Sequence, residues 1–266
     1  MVKISILADN RVAALAPKGL RGEWGFAAAV DDVLFDTGQT GIVPENAARM
    51  GINFDFETVV LSHSHYDHTG GLPDALGQLD DPTLYCHPSV WTRRRLDHDG
   101  RRREIGLPYT RETIADQATI VEHTEPVEVA ENIYALGEIP RPHPDAAIGM
   151  IEADGTLEDD PVRDDQALVV DRDDGLALVL GCGHAGLQNT IEYAESEFEK
   201  EVRAVIGGTH LIAFDDETVH QIADDLEGQL ELFAGTHCTG ADAERIFAQR
   251  FPDAFESVGV GSTLAV

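Results

Sequence analysis

The sequence TVVLSHSHYDHTGGL, residues 58–72, indicates both the fold and the chemistry of this chain. Its β-branched, apolar start, Thr58–Leu61, predicts a buried strand. The strand is followed directly by four side chains that can bind metals: His63, His65, Asp67 and His68. Surface histidines beside an aspartate that caps a helix would explain one histidine, but not this whole set. The stretch therefore predicts a metal site, and its ligand types suit zinc or a similar divalent ion.

The spacing of these residues suggests two ions rather than one. Residues two apart in an extended segment point the same way, so His63 and His65 can bind one ion. Asp67 and His68 follow where the chain is expected to turn into a helix, and they can reach a second ion. Two ions about 3.5–4 Å apart can activate water and polarise a substrate oxygen. The motif thus predicts a dinuclear centre, with Asp67 as both a ligand and a catalytic residue.

A similar pattern, in which a histidine follows a predicted strand and one or two glycines, recurs at His184, His210 and His237. Dinuclear sites take ligands from several strand ends of one rigid scaffold. Glycine beside each histidine lets the backbone approach a crowded site. The pattern favours His184 and His237 as metal ligands. For His210 it is equally compatible with a site residue and with an ordinary loop residue.

The H-x-H-x-D-H motif resembles that of the metallo-β-lactamase superfamily, whose fold is an αββα sandwich. Further segments resemble its dihydropterin-related, dihydropteroate-synthase-like subgroup: SILADNR (5–11), WGF (24–26), LFDTG (34–38), GEIPR (137–141), GCGHAG (181–186), NTIEYA (189–194), GGTHL (207–211) and HCTG (237–240). The resemblance covers essentially the whole chain. We therefore expect an α/β protein with a single αββα domain over residues 1–266.

The resemblance also implies an activity. The characterised archaeal reaction is that of 7,8-dihydropterin-6-methyl-4-(β-D-ribofuranosyl)aminobenzene-5′-phosphate synthase, which joins a dihydropterin pyrophosphate to an aminobenzene riboside phosphate and releases pyrophosphate. In that reaction His210 would be catalytic, and Arg141 and Glu138 would bind substrate. One alternative is a dinuclear hydrolase of a phosphoester, lactone or thioester. Another is a metal-stabilised binding module without catalysis.

Two positions depart from the wider superfamily. Many of its hydrolases have a third histidine ligand before the hairpin, where this chain reads VRDDQ (162–166), and a bridging aspartate where it has Cys182. We expect His184 to fill one vacancy, and either Asp165 or Cys182 to fill the other. A buried thiolate would be a good soft ligand for zinc. We expect two divalent ions, with zinc favoured and manganese or iron as alternatives.

Three other features have structural and functional interpretations. Asp36 either forms a turn or braces the metal loop as a hydrogen-bond acceptor. His87, which precedes a proline, is expected to be structural. The segment TRRRLDHDGRRRE (92–104) is either a solvated insertion balanced by acids, or a mobile loop offering guanidinium donors to a phosphate or carboxylate near the metals.

The composition limits the partners. A net charge of −30 argues against nucleic acid and anionic membranes as partners. The resemblance implies a small-molecule substrate that is phosphorylated or pterin-like. The N-terminal MVKISILADN predicts a first strand rather than a signal peptide, and no run reaches the roughly eighteen apolar residues of a membrane span, so we expect a cytoplasmic protein. Three cysteines imply no disulfide framework. An acidic surface with a few apolar edges permits a homodimer.

The charge also predicts a halophilic protein. The chain contains only three lysines, Lys3, Lys18 and Lys200. The repulsion among its many acidic side chains is weakest where concentrated salt screens their charges. We expect dialysis into low salt to abolish the circular dichroism spectrum of the folded chain. A spectrum that stays unchanged in low salt would contradict this prediction.

Patterning further predicts the elements around the site. Strands are expected at 2–8, 127–136 and 255–260, and helices at 44–50, 72–79, 188–200, 215–226 and 241–251. Residues 154–165, which are acidic and contain glycine and proline, are expected to form an exposed loop.

Overall fold

Apolar residues follow one another along the central strands, so that both faces of each sheet are apolar. In one strand Leu168 and Val170 pack in the core between the two sheets, while Ala167 and Val169 pack under the helices. In the next strand Ala177 and Val179 likewise face the other sheet. Side chains one residue apart point to opposite faces, so strands buried on both sides read as continuous apolar runs.

The computed structural model describes residues 1–98, 101–153 and 156–266. Its strands are β1 (Lys3–Ala8), β2 (Ala27–Val30), β3 (Val33–Phe35), β4 (Thr58–Val60), β5 (Thr83–Cys86), β6 (Arg94–His98), β7 (Arg101–Glu104), β8 (Thr119–Glu122), β9 (Val127–Ala130), β10 (Ile133–Ala135), β11 (Met150–Ala153), β12 (Thr156–Asp159), β13 (Ala167–Arg172), β14 (Gly175–Leu180), β15 (Val202–Gly208), β16 (Leu232–Thr236) and β17 (Thr263–Ala265). Its α-helices are α1 (Ile42–Met50), α2 (Tyr66–Thr69), α3 (Leu72–Leu76), α4 (Arg111–Ala115), α5 (Leu187–Phe198), α6 (Asp216–Asp225) and α7 (Ala241–Arg250).

Two large sheets form the centre of the fold. The first has the order β17-β1-β2-β3-β4-β5-β8, and the second has the order β16-β15-β14-β13-β10-β9. One apolar core lies between the sheets, a second lies between the first sheet and α1 and α3, and a third lies between the second sheet and α5–α7. The predicted αββα sandwich is therefore confirmed.

Parallel strands bring the predicted ligands to one edge of the sandwich. In the first sheet β3, β4, β5 and β8 run parallel, and the metal motif follows the carboxyl end of β4. In the second sheet β14, β15 and β16 run parallel, and each is followed by one of the other predicted histidines. The recurring strand–glycine–histidine pattern thus reflects loops at the carboxyl ends of parallel strands, where functional residues of α/β folds collect.

Several predicted element boundaries were wrong. Residues 127–136 form a hairpin, β9 and β10, because the chain turns at Asn132, which has a positive φ of 58°. The predicted strand at 255–260 makes only isolated bridges at Phe255 and Val260, and the helix predicted at 72–79 ends at Leu76. Of the supposed exposed loop 154–165, residues 154–155 lie outside the described residues, 156–159 form β12, and Asp160, Asp164 and Asp165 are buried.

The arginine-rich segment forms part of a small sheet with the order β12-β11-β6-β7. Arg93 and Arg101–Arg103 are exposed, as the solvated interpretation predicts, while Asp99 and Gly100 lie outside the described residues. Arg94 fits neither interpretation because it is only 1% exposed. Within the described ranges, the structure contains no helix long and apolar enough to cross a membrane.

Candidate metal centre

Imidazole and thiol groups from loops of both sheets converge at this edge of the sandwich. Three sets have ligand atoms within 4.8 Å of one another: His63, Cys182 and His184; His68, Cys182 and His237; and Cys182, His210 and Cys238. The first two sets contain histidines that the sequence assigns to two different ions. Cys182 belongs to both, so its thiol is the candidate ligand that the two sets have in common.

The loop after β4 presents His63 and His65 to one position. His63 Nε2 lies 2.9 Å from His65 Nδ1, close enough for both nitrogens to bind the same cation. Ser62 Oγ donates to Asp36 Oδ2 at 2.6 Å, so it accepts a hydrogen bond from His63 Nδ1 at 2.9 Å. The proton of His63 is thereby held on Nδ1, and the lone pair on Nε2 is left for a metal.

Asp36 braces the second position as well. Its Oδ2 accepts from His68 Nδ1 at 2.7 Å, and its Oδ1 accepts from Ser62 N at 2.7 Å. One buried carboxylate therefore fixes the tautomer of a candidate ligand for each ion, directly for His68 and through Ser62 for His63. This is the bracing role considered for Asp36 in the sequence. Gly181 is required beside it, since a Cβ there would lie 2.6 Å from Asp36 Oδ2 and 2.1 Å from Ser62 Oγ.

The remaining two histidines are oriented by amide groups. His184 Nδ1 donates to the Ala146 carbonyl at 2.8 Å, and His237 Nδ1 donates to Asn10 Oδ1 at 3.0 Å. In each case the Nε2 atom is left buried without a hydrogen-bond partner, as is that of His68. Buried polar atoms without partners are rare in proteins and require an explanation. A cation at each ligand set would satisfy these nitrogens, His184 in one set and His68 and His237 in the other.

The protonation of these histidines also suits metal binding. Burial lowers the pKa of His63, His65, His184 and His237 well below the ordinary value, and neighbouring histidines lower it further. These rings are therefore neutral near pH 7, which is the form that binds metals. His68 differs, because the nearby Asp67 and Asp36 carboxylates outweigh burial and raise its pKa to about 9. A cation bound at His68 Nε2 would displace that proton.

Asp67 lies between the two histidines of the second set. Its Oδ2 is 3.8 Å from His68 Nε2 and 3.6 Å from His237 Nε2, and its side chain is 12% exposed. A carboxylate and two imidazoles that face one point are a common ligand set for a divalent ion.

The structure favours Cys182 over Asp165 for the open ligand position. Asp165 is buried, its Oδ2 accepts from Ala185 N at 2.8 Å, and its Oδ1 has no partner. Burial raises its pKa to about 6. However, among the described residues Asp165 joins none of the three ligand sets, whereas Cys182 joins all of them.

Cys182 is itself in contact with a second cysteine and a histidine. Its Sγ lies 3.1 Å from Cys238 Sγ and 3.2 Å from His210 Nδ1. Burial disfavours the thiolate of Cys238, but hydrogen bonds with Cys182 and His210 lower its pKa to about 5. A cation beside Cys182 would favour the thiolate of Cys182, because metals bind the thiolate. Cys238 and His210 would then donate hydrogen bonds to a metal-bound sulfur.

Comparison with known proteins shows the family to which the chain belongs. Residues 31–198 match the family described as the Metallo-beta-lactamase superfamily. This chain belongs to the metallo-beta-lactamase superfamily. It is similar to the uncharacterized protein MJ0448 of Methanocaldococcus jannaschii, with 30% identity over 90% of this chain and 91% of that protein. It is also similar to the 7,8-dihydropterin-6-methyl-4-(beta-D-ribofuranosyl)-aminobenzene-5′-phosphate synthase of the same organism, with 27% identity over 87% of this chain and 83% of that protein.

A solved structure extends the likeness to the whole fold. The crystal structure of Tm1679, described as a metal-dependent hydrolase of the beta-lactamase superfamily, aligns with a TM-score of 0.87 and 28% identity. The alignment covers 100% of this chain and 99% of that one. This member of the metallo-beta-lactamase superfamily thus shares its fold with Tm1679 over the whole aligned length.

The predicted substrate-binding residues of this superfamily member are engaged by protein groups. Arg141 Nη1 lies 3.1 Å from Asp145 Oδ2, and its Nη2 donates to the Val162 carbonyl at 2.6 Å. Glu138 is 39% exposed and pairs with Arg163 at 3.1 Å. Their role towards substrate stays a prediction. His87 accepts from Ser89 N at 3.1 Å through Nδ1 and thereby caps a short 3₁₀ turn, which is the structural role expected for it.

Sequence reasoning missed Arg94, whose buried side chain supports the loop that carries His63 and His65. Its guanidinium binds Asp160 Oδ2 at 2.6 Å and Asp164 Oδ1 at 2.7 Å, and it also donates to Ser64 Oγ. Asp164 Oδ2 in turn accepts from Ser64 N at 2.9 Å. Because Ser64 lies between His63 and His65, this buried cluster fixes the loop that carries both ligands. No signal in the sequence separates Arg94 from its five neighbouring arginines.

Proposed function

We propose that this chain is a two-metal enzyme that transfers a dihydropterin group from its pyrophosphate ester to an aromatic amine. The observation that carries the proposal is the pair of ligand sets that share Cys182, each with histidine tautomers held by a second group. The 27% identical synthase from M. jannaschii supports the choice of substrates, because its name describes a dihydropterin joined to an aminobenzene riboside phosphate.

The ligand sets divide the proposed centre into two positions. His63, His65 and His184 would hold one divalent ion, Asp67, His68 and His237 would hold the other, and Cys182 would lie between them. Two divalent ions held by these residues would supply positive charge next to the departing pyrophosphate. Transition-state stabilisation of this kind is effective because the charge develops during the reaction.

The chain's own groups have distinct tasks in this reaction. A bond forms between the amine nitrogen and the methylene carbon of the pterin, the bond from that carbon to the pyrophosphate oxygen breaks, and the amine loses a proton. Asp67 is the group we assign to accept a hydrogen bond from the amine, because its side chain lies between His68 and His237 and is 12% exposed. His210 faces Cys182, so its supported task is to orient that thiol, and direct catalysis by His210 stays a prediction.

The test is an assay of pyrophosphate release by protein purified in high salt and loaded with zinc, manganese or iron. The substrates are 6-hydroxymethyl-7,8-dihydropterin pyrophosphate and 4-(β-D-ribofuranosyl)aminobenzene 5′-phosphate. We expect release that requires the amine and is lost after chelation of the metal. Release at the same rate without the amine would contradict a transferase and identify a hydrolase.

Hydrolysis is the second candidate function, and the likeness to Tm1679 favours it, because that protein is described as a metal-dependent hydrolase. The same two ligand sets would serve it, with water in place of the amine. Turnover of a phosphoester, lactone or thioester with water alone would support this alternative. A protein that binds metal but turns over none of these substrates would support a non-catalytic binding module.

A further inference from the structure

A cavity of about 230 Å³ opens directly beside the candidate metal centre. His237 forms part of its wall, together with Asp9, Arg11, Trp24, Ile212 and Glu244. Two larger cavities, of about 370 and 700 Å³, lie elsewhere, and none of the candidate metal ligands lines them. The smaller cavity is therefore the one that shares a residue with the proposed chemistry.

Two side chains in the wall of this cavity are apolar and largely exposed to solvent. Trp24 is 52% exposed and Ile212 is 57% exposed, in a chain whose net charge is −30. The Trp24 ring centre lies 5.4 Å from that of His237, so the indole stands next to a candidate ligand. Large aromatic side chains with an open face beside a reactive site commonly stack on flat rings. These walls suit an uncharged planar group.

The rest of the wall is polar and carries more negative than positive charge. Arg11 donates to the Val258 carbonyl at 2.6 Å through Nε and to Glu244 at 2.7 Å through Nη1, and its Nη2 is buried. Asp9 is fully buried, and it accepts from Thr236 Oγ1 at 2.8 Å and from His237 N at 3.1 Å. Two carboxylates against one guanidinium disfavour a phosphate and favour an uncharged ring.

We propose that this cavity binds the heterocyclic ring of the substrate, stacked on Trp24 and packed against Ile212. The phosphate end of the substrate then extends past His237 towards the metal positions. A volume of about 230 Å³ is below the roughly 300–1,000 Å³ of whole-ligand pockets, which fits one ring system rather than an entire substrate. The inference rests on the proposed function, since it assigns the pterin part of that substrate to a place.

The test measures binding of 6-hydroxymethylpterin to the metal-loaded protein, followed by the intrinsic fluorescence of the pterin. We expect Trp24→Ala to weaken binding by about tenfold, and Trp24→Phe to restore most of the affinity, because stacking needs a flat aromatic face. Trp91→Ala is the matched control, since Trp91 donates to Glu122 at 2.8 Å and does not line the cavity. Its affinity for the pterin should equal that of the unchanged protein. Metal content measured in parallel should be the same in all variants.

The outcomes separate this inference from the proposed function. Pterin binding that is absent, or that is equally strong in Trp24→Ala with full metal content, overturns the ring site, even if amine-dependent pyrophosphate release is intact. Conversely, Trp24-dependent binding in a protein that releases no pyrophosphate supports the ring site and contradicts the proposed reaction. Ribose 5-phosphate, which has no flat heterocycle, should bind the unchanged protein and Trp24→Ala alike.

Discussion

A His184→Ala variant is expected to bind one metal ion fewer than the unchanged protein and to lose more than about 100-fold in activity. Substitution of groups that merely support a ligand typically costs about 10–100-fold, so removal of a ligand should cost more. His184 contributes a buried Nε2 with no other partner to the set formed with His63 and Cys182. The measurement is elemental analysis of protein purified in high salt, together with the pyrophosphate assay.

An Asp67→Asn variant should give the reciprocal result. The amide keeps the size of the side chain but removes the charge that faces His68 and His237, so the other ion should be lost while the first is retained. His143→Ala is the control, because the partly exposed His143 side chain pairs with Glu192 at 2.7 Å. Two ions retained in His184→Ala would refute its assignment as a ligand. Loss of both ions in each variant would contradict two separable positions.

Most of the convergence at the site was accessible from the sequence because it depends on local rules. Ligand spacing in residues 63–68, and a histidine after each strand of a parallel set, place side chains at one edge whatever the details of packing. The αββα fold was implied by the resemblance of the same motif to that of the metallo-β-lactamase superfamily. Asp36 was identified as a candidate brace, although not as a carboxylate that serves ligands of both proposed ions.

The parts that sequence reasoning missed depend on contacts between distant segments. The choice of Cys182 over Asp165 requires the distance from each to His63 and His68, residues 97 to 119 positions earlier in the chain. The burial of Asp160 and Asp164 depends on Arg94, and an acidic stretch otherwise reads as solvated. Asn132, which divides a predicted strand, adopts a left-handed conformation that asparagine tolerates but does not require.

Arg94→Met is expected to lower the free energy of unfolding by about 3–5 kcal/mol, because it leaves two carboxylates buried without a counter-ion. Asp160 and Asp164 are 3% and 1% exposed, and burial already raises the pKa of Asp160 despite the guanidinium. Lysine at this position should restore only part of the loss, since one ammonium cannot donate in a fork to both carboxylates. The measurement is denaturant unfolding in high salt, and Arg93→Met, whose side chain is 72% exposed, should change the free energy by no more than about 0.5 kcal/mol.

The charge argument can be separated from the loss of packing by a triple variant. The triple variant adds Asp160→Asn and Asp164→Asn to Arg94→Met and so removes the two unpaired buried charges. Its stability should recover well above that of Arg94→Met alone. Metal affinity should not recover with it, because Asp164 Oδ2 and Arg94 hold Ser64 between the two ligands, and the amide cannot reproduce both contacts. An Arg94→Met protein that unfolds at the same denaturant concentration as the unchanged chain would show that the cluster contributes no stability. If stability and metal affinity recover together in the triple variant, the cluster acts through the fold alone and does not position the ligand loop.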